Sequence, residues 1–269
     1  MNLKKKLSAM VLVLAFVTFW FAGAKPKSAA QEAKPDYKNN NCVSCHSQLL
    51  DPLSVSNRYL EWQLSRHEEK GVSCDKCHGG DPSAKDKQKA HAGVLRPSDQ
   101  QSRLYWKNQP ETCNSCHQNV VSAFVESTHY QRLKGIGLGP SCNTCHAHMA
   151  TKVIYSPTET RELCAQCHDS INFIKPSPEI PERAKETMTA LQRADAVINW
   201  SELLLAEGRR RNLRLDAEAN ELKVAEERLS EARVRWHKFS LEPVRKQADD
   251  AFLKGAKVKD GLRKKLSVE

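Results

Sequence analysis

Cys42-Val-Ser-Cys45-His46 is the first of five copies of one short pattern, Cys-x-x-Cys-His. The other copies are Cys74-Asp-Lys-Cys77-His78, Cys113-Asn-Ser-Cys116-His117, Cys142-Asn-Thr-Cys145-His146 and Cys164-Ala-Gln-Cys167-His168. Together they use all 10 cysteines of the 269-residue chain. The pattern is typical of c-type haem attachment, in which two thiols form thioethers with one porphyrin. The adjacent histidine is then placed to bind the iron as its proximal ligand. We therefore expect five covalently bound c-type haems.

Cysteine pairs have uses other than haem attachment. Two Cys-x-x-Cys pairs can form a zinc site with four thiolates, and a single pair can be a redox dithiol. Disulfides are chemically possible in an exported chain. None of these requires a histidine directly after the second cysteine, yet a histidine stands there in every copy. The sequence therefore favours haem.

A second set of histidines matches the first in number. Of the 10 histidines, those outside the motifs are His67, His91, His129, His148 and His237. Five irons need five sixth ligands, so we expect these side chains to be the distal ligands. His148 lies two residues after His146 and is expected to serve a neighbouring haem. Met149 is an alternative ligand for one iron. His237, far from the cysteines, could instead be an ordinary helix residue or bind a haem of a partner subunit.

The first 24 residues are typical of an export signal. Lys4-Lys5-Lys6 precedes the apolar run Leu7–Ala24, and Ala22-Gly23-Ala24 offers a cleavage site. The alternative is an uncleaved membrane anchor, because 18 residues lie near the lower limit for spanning a bilayer. Either way the rest of the chain is expected outside the cytoplasm, in the periplasm, soluble or tethered. Residues 25–38 are expected to be a flexible linker.

The charge of the chain changes when haem is included. Loss of the three lysines of the export signal lowers the formal net charge from +10 to +7. Each haem, with two propionates partly offset by its iron, adds roughly −1 to −2, so the loaded protein is close to neutral. Much of the lysine and arginine excess is thus counter-charge, and nucleic-acid binding is not expected.

Two domains are expected after the linker. Residues 39–176 carry all five motifs in fewer than 140 residues, too few to build an ordinary apolar core around five cofactors. We expect short helices and loops wrapped round the haems. The predicted fold is therefore mainly α, a multihaem cytochrome c head followed by a helical C-terminal domain.

Residues 177–269 contain no cysteine and show two apolar stripes at helical spacing. The first stripe is Met188, Leu191, Ala194, Ile198, Ser201 and Leu205, and the second is Leu222, Ala225, Leu229, Ala232, Trp236 and Phe239. With a turn at Gly208–Asn212, this pattern predicts a long antiparallel helical hairpin. Pro243 is expected to kink the second helix. The hairpin could serve only packing or homo-oligomer formation.

Four local patterns resemble one known superfamily. They are Ser65-x-His67, Ser127-Thr128-His129 upstream of Pro140-Ser141-Cys142, Cys145-His146-Ala147-His148, and Arg233–Phe252 with His237 and Pro243. These are similar to patterns in the pentahaem nitrite reductases and octahaem hydroxylamine oxidoreductases. In those proteins a histidine on a long C-terminal helix coordinates a haem, so the resemblance implies that His237 does the same. The nitrite reductases have a catalytic Cys-x-x-Cys-Lys haem, whereas all five motifs here end in His.

A haem with histidine on both faces passes electrons but has no open position for a substrate. The sequence therefore predicts an exported pentahaem electron carrier. Its expected partners are a membrane quinol-oxidising protein and a terminal reductase or outer-membrane cytochrome. One alternative is an oxidoreductase that acts on a nitrogen or sulfur oxyanion at one five-coordinate haem. Another is that the hairpin mainly docks the haem head onto a larger complex.

Overall fold

The computed structural model describes residues 35–49, 53–169 and 177–267. This part of the chain is mainly helical and contains no strand, as predicted. Its α-helices are α1 (Asn41–His46), α2 (Leu53–Gln63), α3 (Arg66–Glu69), α4 (Cys74–His78), α5 (Lys87–Ala90), α6 (Gln109–Asn114), α7 (Gln118–Val125), α8 (Thr128–Lys134), α9 (Cys142–His146), α10 (Pro157–His168), α11 (Glu179–Arg210), α12 (Asp216–Trp236) and α13 (Leu241–Ser267). A 3-10 turn covers His148–Ala150.

The predicted export signal and most of the predicted linker lie outside the described residues. Among the helices that are described, none combines the length and the apolar character needed to cross a bilayer.

The motifs lie at helix ends. Four of the five motif histidines are the last residue of a helix, in α1, α4, α9 and α10. The third motif instead spans the junction of α6 and α7, where His117 is the N-terminal cap of α7. In a helical turn, residues three and four positions apart share one face. The helical conformation therefore brings both thiols and the histidine of each motif to the same side.

The head has few buried apolar side chains, as the number of motifs predicts. In its described residues the buried hydrophobic side chains are Trp62, Val121, Phe124 and Leu133. By contrast, the connected apolar core consists entirely of residues between Met188 and Leu262, in the C-terminal helices. The head thus lacks the apolar interior that stabilises an ordinary domain of its size.

The C-terminal helices form a three-helix bundle. Ion pairs such as Arg233–Asp195 show that α12 runs antiparallel to α11, and Lys257–Glu221 shows that α13 runs back along α12. The first predicted stripe is buried along its whole length, and in the second stripe the four residues from Leu222 to Ala232 are buried. Ser201, fully buried, donates a hydrogen bond to the carbonyl oxygen of Gly255 at 3.1 Å, which ties α11 closely to α13.

The bundle differs from the sequence prediction at Pro243. The second helix is not kinked there, because α12 ends at Trp236 and a separate helix begins at Leu241. Phe239 adopts a positive φ of 59°, a conformation that turns the chain sharply. Pro243 then lies in the first turn of α13, where a helix does not need its missing N–H. The predicted hairpin is therefore completed by a third helix.

Candidate functional site

Four motif histidines each face one histidine from outside the motifs. The ring centroids are 6.1 Å apart for His46–His91, His67–His117 and His129–His168, and 6.2 Å apart for His146–His237. The planes of the first three pairs are inclined at 48°, 61° and 59°, whereas those of His146 and His237 are inclined at only 18°. Every pair therefore combines one predicted proximal and one predicted distal ligand.

This spacing suits a single metal ion between the rings. An imidazole nitrogen lies about 1.1 Å from its ring centre and binds a metal at about 2.0–2.1 Å, so two opposed imidazoles have centroids about 6.2–6.4 Å apart. Among the described residues, no group of three or more His, Cys, Asp or Glu is arranged to hold a metal ion by itself. Two opposed imidazoles leave the four equatorial positions of an octahedral iron for a porphyrin. The arrangement thus fits haem.

Two of the non-motif histidines are positioned by the same helix-capping device. His67 and His129 are each the second residue of a short helix, after the buried serines Ser65 and Ser127. Each serine hydroxyl accepts a hydrogen bond from a backbone N–H of the first turn, at 3.3 Å in α3 and 3.1 Å in α8. Capping fixes where the helix begins and hence where the histidine ring lies.

Two others are oriented by a backbone carbonyl one turn earlier. The Nδ1–H of His91 donates to the carbonyl oxygen of Lys87 at 2.8 Å, and that of His237 donates to Arg233 at 3.1 Å. The motif histidine His146 likewise donates to a carbonyl oxygen, at 2.9 Å. A ring whose Nδ1 carries the proton offers Nε2 as the ligand nitrogen, which is the usual arrangement for metal-binding histidines.

His129 has a different environment. Its Nδ1 is buried and has no hydrogen-bond partner, and the ring of Phe239 meets it edge-on with centroids 4.3 Å apart. Burial, and then the neighbouring His168, lowers the pKa of His129 to about 4. At neutral pH this imidazole is therefore uncharged, as a metal ligand must be.

The fifth predicted distal ligand, His148, lies in the 3-10 turn after α9 and is about half exposed. Its Nδ1 donates to the carboxylate of Glu61 at 3.0 Å. The remaining motif histidine is His78, whose pKa is lowered by burial and then by the nearby His46 and His148. Burial favours a higher pKa for Glu61, but hydrogen bonds from Arg58 and His148 outweigh it and leave the pKa lowered.

The thiols of consecutive motifs are neighbours. None of the 10 cysteines forms a disulfide. The thiols of Cys113 and Cys142 are close enough that their interaction raises the pKa of Cys113 and lowers that of Cys142. Further pairs in which burial and then the neighbouring thiol raise a thiol pKa are Cys74 with Cys42, Cys77 with Cys113, and Cys145 with Cys164. Thiols of consecutive motifs therefore lie near one another.

Comparison with known proteins agrees with haem attachment at these motifs. A family model described as cytochrome c7 and related cytochrome c matches residues 98–175, which hold the last three motifs. A second model, cytochrome c554 and c-prime, matches residues 21–79, which hold the first two. Together the two matches include every motif. The chain is a multihaem c-type cytochrome.

Curated relatives include two large cytochromes of Geobacter sulfurreducens. The cytochrome is 32% identical over 117 residues to the C-type polyheme cytochrome OmcC, a match that covers 40% of this chain and 14% of OmcC. It is 28% identical over 139 residues to the C-type polyheme cytochrome OmcB, covering 49% of this chain and 16% of OmcB. The cytochrome thus spans about one seventh of the length of these relatives. No solved structure matches it, and the resemblance to nitrite reductases and hydroxylamine oxidoreductases is not among the matches.

Two contributors to the site were not expected from the sequence. Glu61, on α2, contacts His148 across 87 positions of sequence, and no local pattern announces such a contact. Phe239 was assigned to the apolar seam of the hairpin, but its ring packs against His129 and Phe124 of the head. The positive φ of Phe239, which directs its ring towards the head, becomes visible only in the structure.

Proposed function

We propose that this cytochrome carries electrons through five c-type haems, each bound axially by two histidines. The observation that carries the proposal is the ring spacing of 6.1–6.2 Å in four independent histidine pairs. In each pair the motif histidine is the proximal ligand, and the second histidine is the distal ligand. His78 and His148 are assigned to the fifth iron because they remain after the other pairs are formed.

These ten histidines would hold the five irons, two to each iron, and would leave no coordination position for a substrate. When bound, the haems supply one-electron transfer, and the protein tunes it through axial ligands, burial and nearby charge. Hydrogen bonds donated by Nδ1 fix the tautomers of His91, His146, His148 and His237. Burial lowers the pKa of other rings, among them His78 and His129, and so favours the uncharged form that a metal ligand needs. Hydrogen bonds between Asn40 and Asp75 and between Asn143 and Gln109 hold neighbouring motifs together, which supports short distances between successive haems and hence electron transfer from one to the next.

The location and the partners are also part of the proposal. The apolar run Leu7–Ala24 supports export to the periplasm, with or without cleavage. The expected electron donor is a membrane quinol-oxidising protein, and the expected acceptor is a terminal reductase or an outer-membrane cytochrome. The similarity to polyheme cytochromes supports redox proteins as partners. Three large apolar side chains on the bundle, Trp200, Leu203 and Leu253, are more than half exposed and offer a surface for a partner or a second copy.

Haem content and spin state test the proposal. The purified protein should give a pyridine haemochrome equivalent to five haems per chain, and its ferric electron paramagnetic resonance (EPR) spectrum should contain low-spin signals only. Cyanide and nitrite should leave that spectrum unchanged. A stoichiometric high-spin signal that responds to nitrite would contradict the proposal and support the alternative, reduction or oxidation of an oxyanion at an open haem.

A further inference from the structure

One of the five distal histidines is held by a carboxylate. Glu61 accepts the Nδ1–H of His148 at 3.0 Å through one oxygen, and Arg58 donates to both of its oxygens at 2.8 and 3.0 Å. His91 and His237 donate instead to uncharged backbone carbonyls. The group that accepts the hydrogen bond from His148 therefore carries a negative charge, whereas the acceptors for His91 and His237 are uncharged.

The segment that carries His148 adopts an unusual backbone. Ala147, Met149 and Ala150 have positive φ values of 61°, 60° and 51°. Non-glycine residues rarely adopt such φ values, and they keep them where the surroundings impose the conformation. The contact with Glu61 anchors this segment to α2, which is a long element of the head.

A carboxylate that accepts a hydrogen bond from a metal-binding imidazole has two effects. It fixes the tautomer and orientation of the ring, and it makes the ligand nitrogen more basic. A more basic axial ligand donates more charge to the iron and stabilises the ferric state relative to the ferrous state. A backbone carbonyl has the first effect and less of the second, because it carries no net charge.

We propose that Glu61 is a positioning residue that fixes His148 as the distal ligand of the haem attached at Cys74 and Cys77, and that its carboxylate lowers the reduction potential of that haem. The inference rests on the proposed two-histidine ligation. The ligand pair follows by elimination from the four pairs already formed by the other histidines. Arg58 holds the carboxylate in place without contacting the imidazole.

The test is a redox titration of the holoprotein with Glu61→Gln, followed by optical and EPR spectra. The amide keeps the shape and can still accept the hydrogen bond, but it removes the charge. We expect one haem to become about tenfold easier to reduce, which is about 59 mV for a one-electron couple, while all irons stay low-spin. The control is Glu69→Gln, which removes the same charge from an exposed carboxylate paired with Arg66. Equal shifts in both variants, or no shift in Glu61→Gln, would overturn the inference.

His148→Ala separates this inference from the proposed function. We expect it to convert one haem to high-spin, and Glu61→Gln added to it should then shift no potential further, because the two residues act through one contact. A full additional shift in the double variant would overturn the role of Glu61 while leaving two-histidine ligation intact. If His148→Ala leaves every haem low-spin, the assignment of His148 as a ligand is wrong, and the inference fails with it.

Discussion

Replacing His237 with alanine removes one imidazole from the pair that links the C-terminal bundle to the head. The ring centroids of His237 and His146 are 6.2 Å apart. On the proposed ligation, only the haem of the fourth motif loses its distal ligand. With five motifs in the chain, the expected loss is about one fifth of the low-spin EPR intensity, with one equivalent of high-spin iron in its place.

The structure also predicts which low-spin signal disappears. Two nearly parallel imidazole planes interact with the same d orbital of a ferric iron and separate it in energy from the other d orbital of π symmetry. Strongly inclined planes interact with both of these d orbitals, so the energy difference between them is smaller. The planes of His146 and His237 are inclined at 18°, against 48° or more in the other three measured pairs. The most rhombic low-spin signal should therefore be the one that His237→Ala removes.

The assay is quantitative EPR of the oxidised holoprotein before and after addition of imidazole. Free imidazole should enter the space left by the side chain and restore the low-spin iron. Arg235→Ala is the matched control, because this exposed side chain lies two positions earlier on the same helix. An unchanged spectrum in His237→Ala, or loss of a weakly rhombic signal instead, would refute the reasoning.

Three further predictions concern packing and pH. Leu262→Ala should lower the free energy of unfolding by about 2–5 kcal/mol in chemical denaturation, because Leu262 is fully buried in the bundle. The control, Leu253→Ala, should change the free energy of unfolding little, because that side chain is 65% exposed. Equal effects of the two substitutions would contradict the bundle core. Gly139→Ala should destabilise the head by about 1–3 kcal/mol, because the new Cβ would lie 2.1 Å from a backbone carbonyl oxygen of α8. The measurement is thermal unfolding followed at the haem absorption bands. An unchanged midpoint temperature would show that α8 can move to make room. Lys265 lowers the pKa of the Glu218 carboxyl from 4.5, so Glu218→Gln should lower the free energy of unfolding at pH 7 by up to about 1 kcal/mol. The difference between the two proteins should disappear as the pH falls below 4.5 through the lowered pKa. A difference in unfolding free energy that persists at pH 2 would contradict the charge effect.

The C-terminal helices were predictable because their signal is local. The spacing of Leu191, Ala194 and Ile198 repeats within one helix, and the structure buries all three. The reversal after α12 was not predictable in the same way. It depends on the left-handed backbone of Phe239, and an aromatic residue gives no sequence signal for that conformation.

The site shows the same division between local and long-range information. Spacing within a motif is local, so each Cys-x-x-Cys-His indicated one haem and one histidine ligand. The distal histidines could be proposed because the number of histidines outside the motifs equals the number of motifs. For His67 and His129 there is also a local signal, a helix-capping serine two residues earlier. Which ring faces which could not be predicted, because His146 and His237 meet only after the bundle has folded against the head.

The position of His237 at the end of α12 has a consequence for biogenesis. Covalent attachment at Cys142 and Cys145 would need only the local motif, whereas the proposed sixth ligand of that iron, His237, is synthesised much later. On this assignment, a nascent polypeptide that has been exported only as far as α11 already carries a reactive iron with one accessible face. Maturation of the redox centre thus ends with docking of the bundle, and the interval before docking is the time when oxidants can damage it.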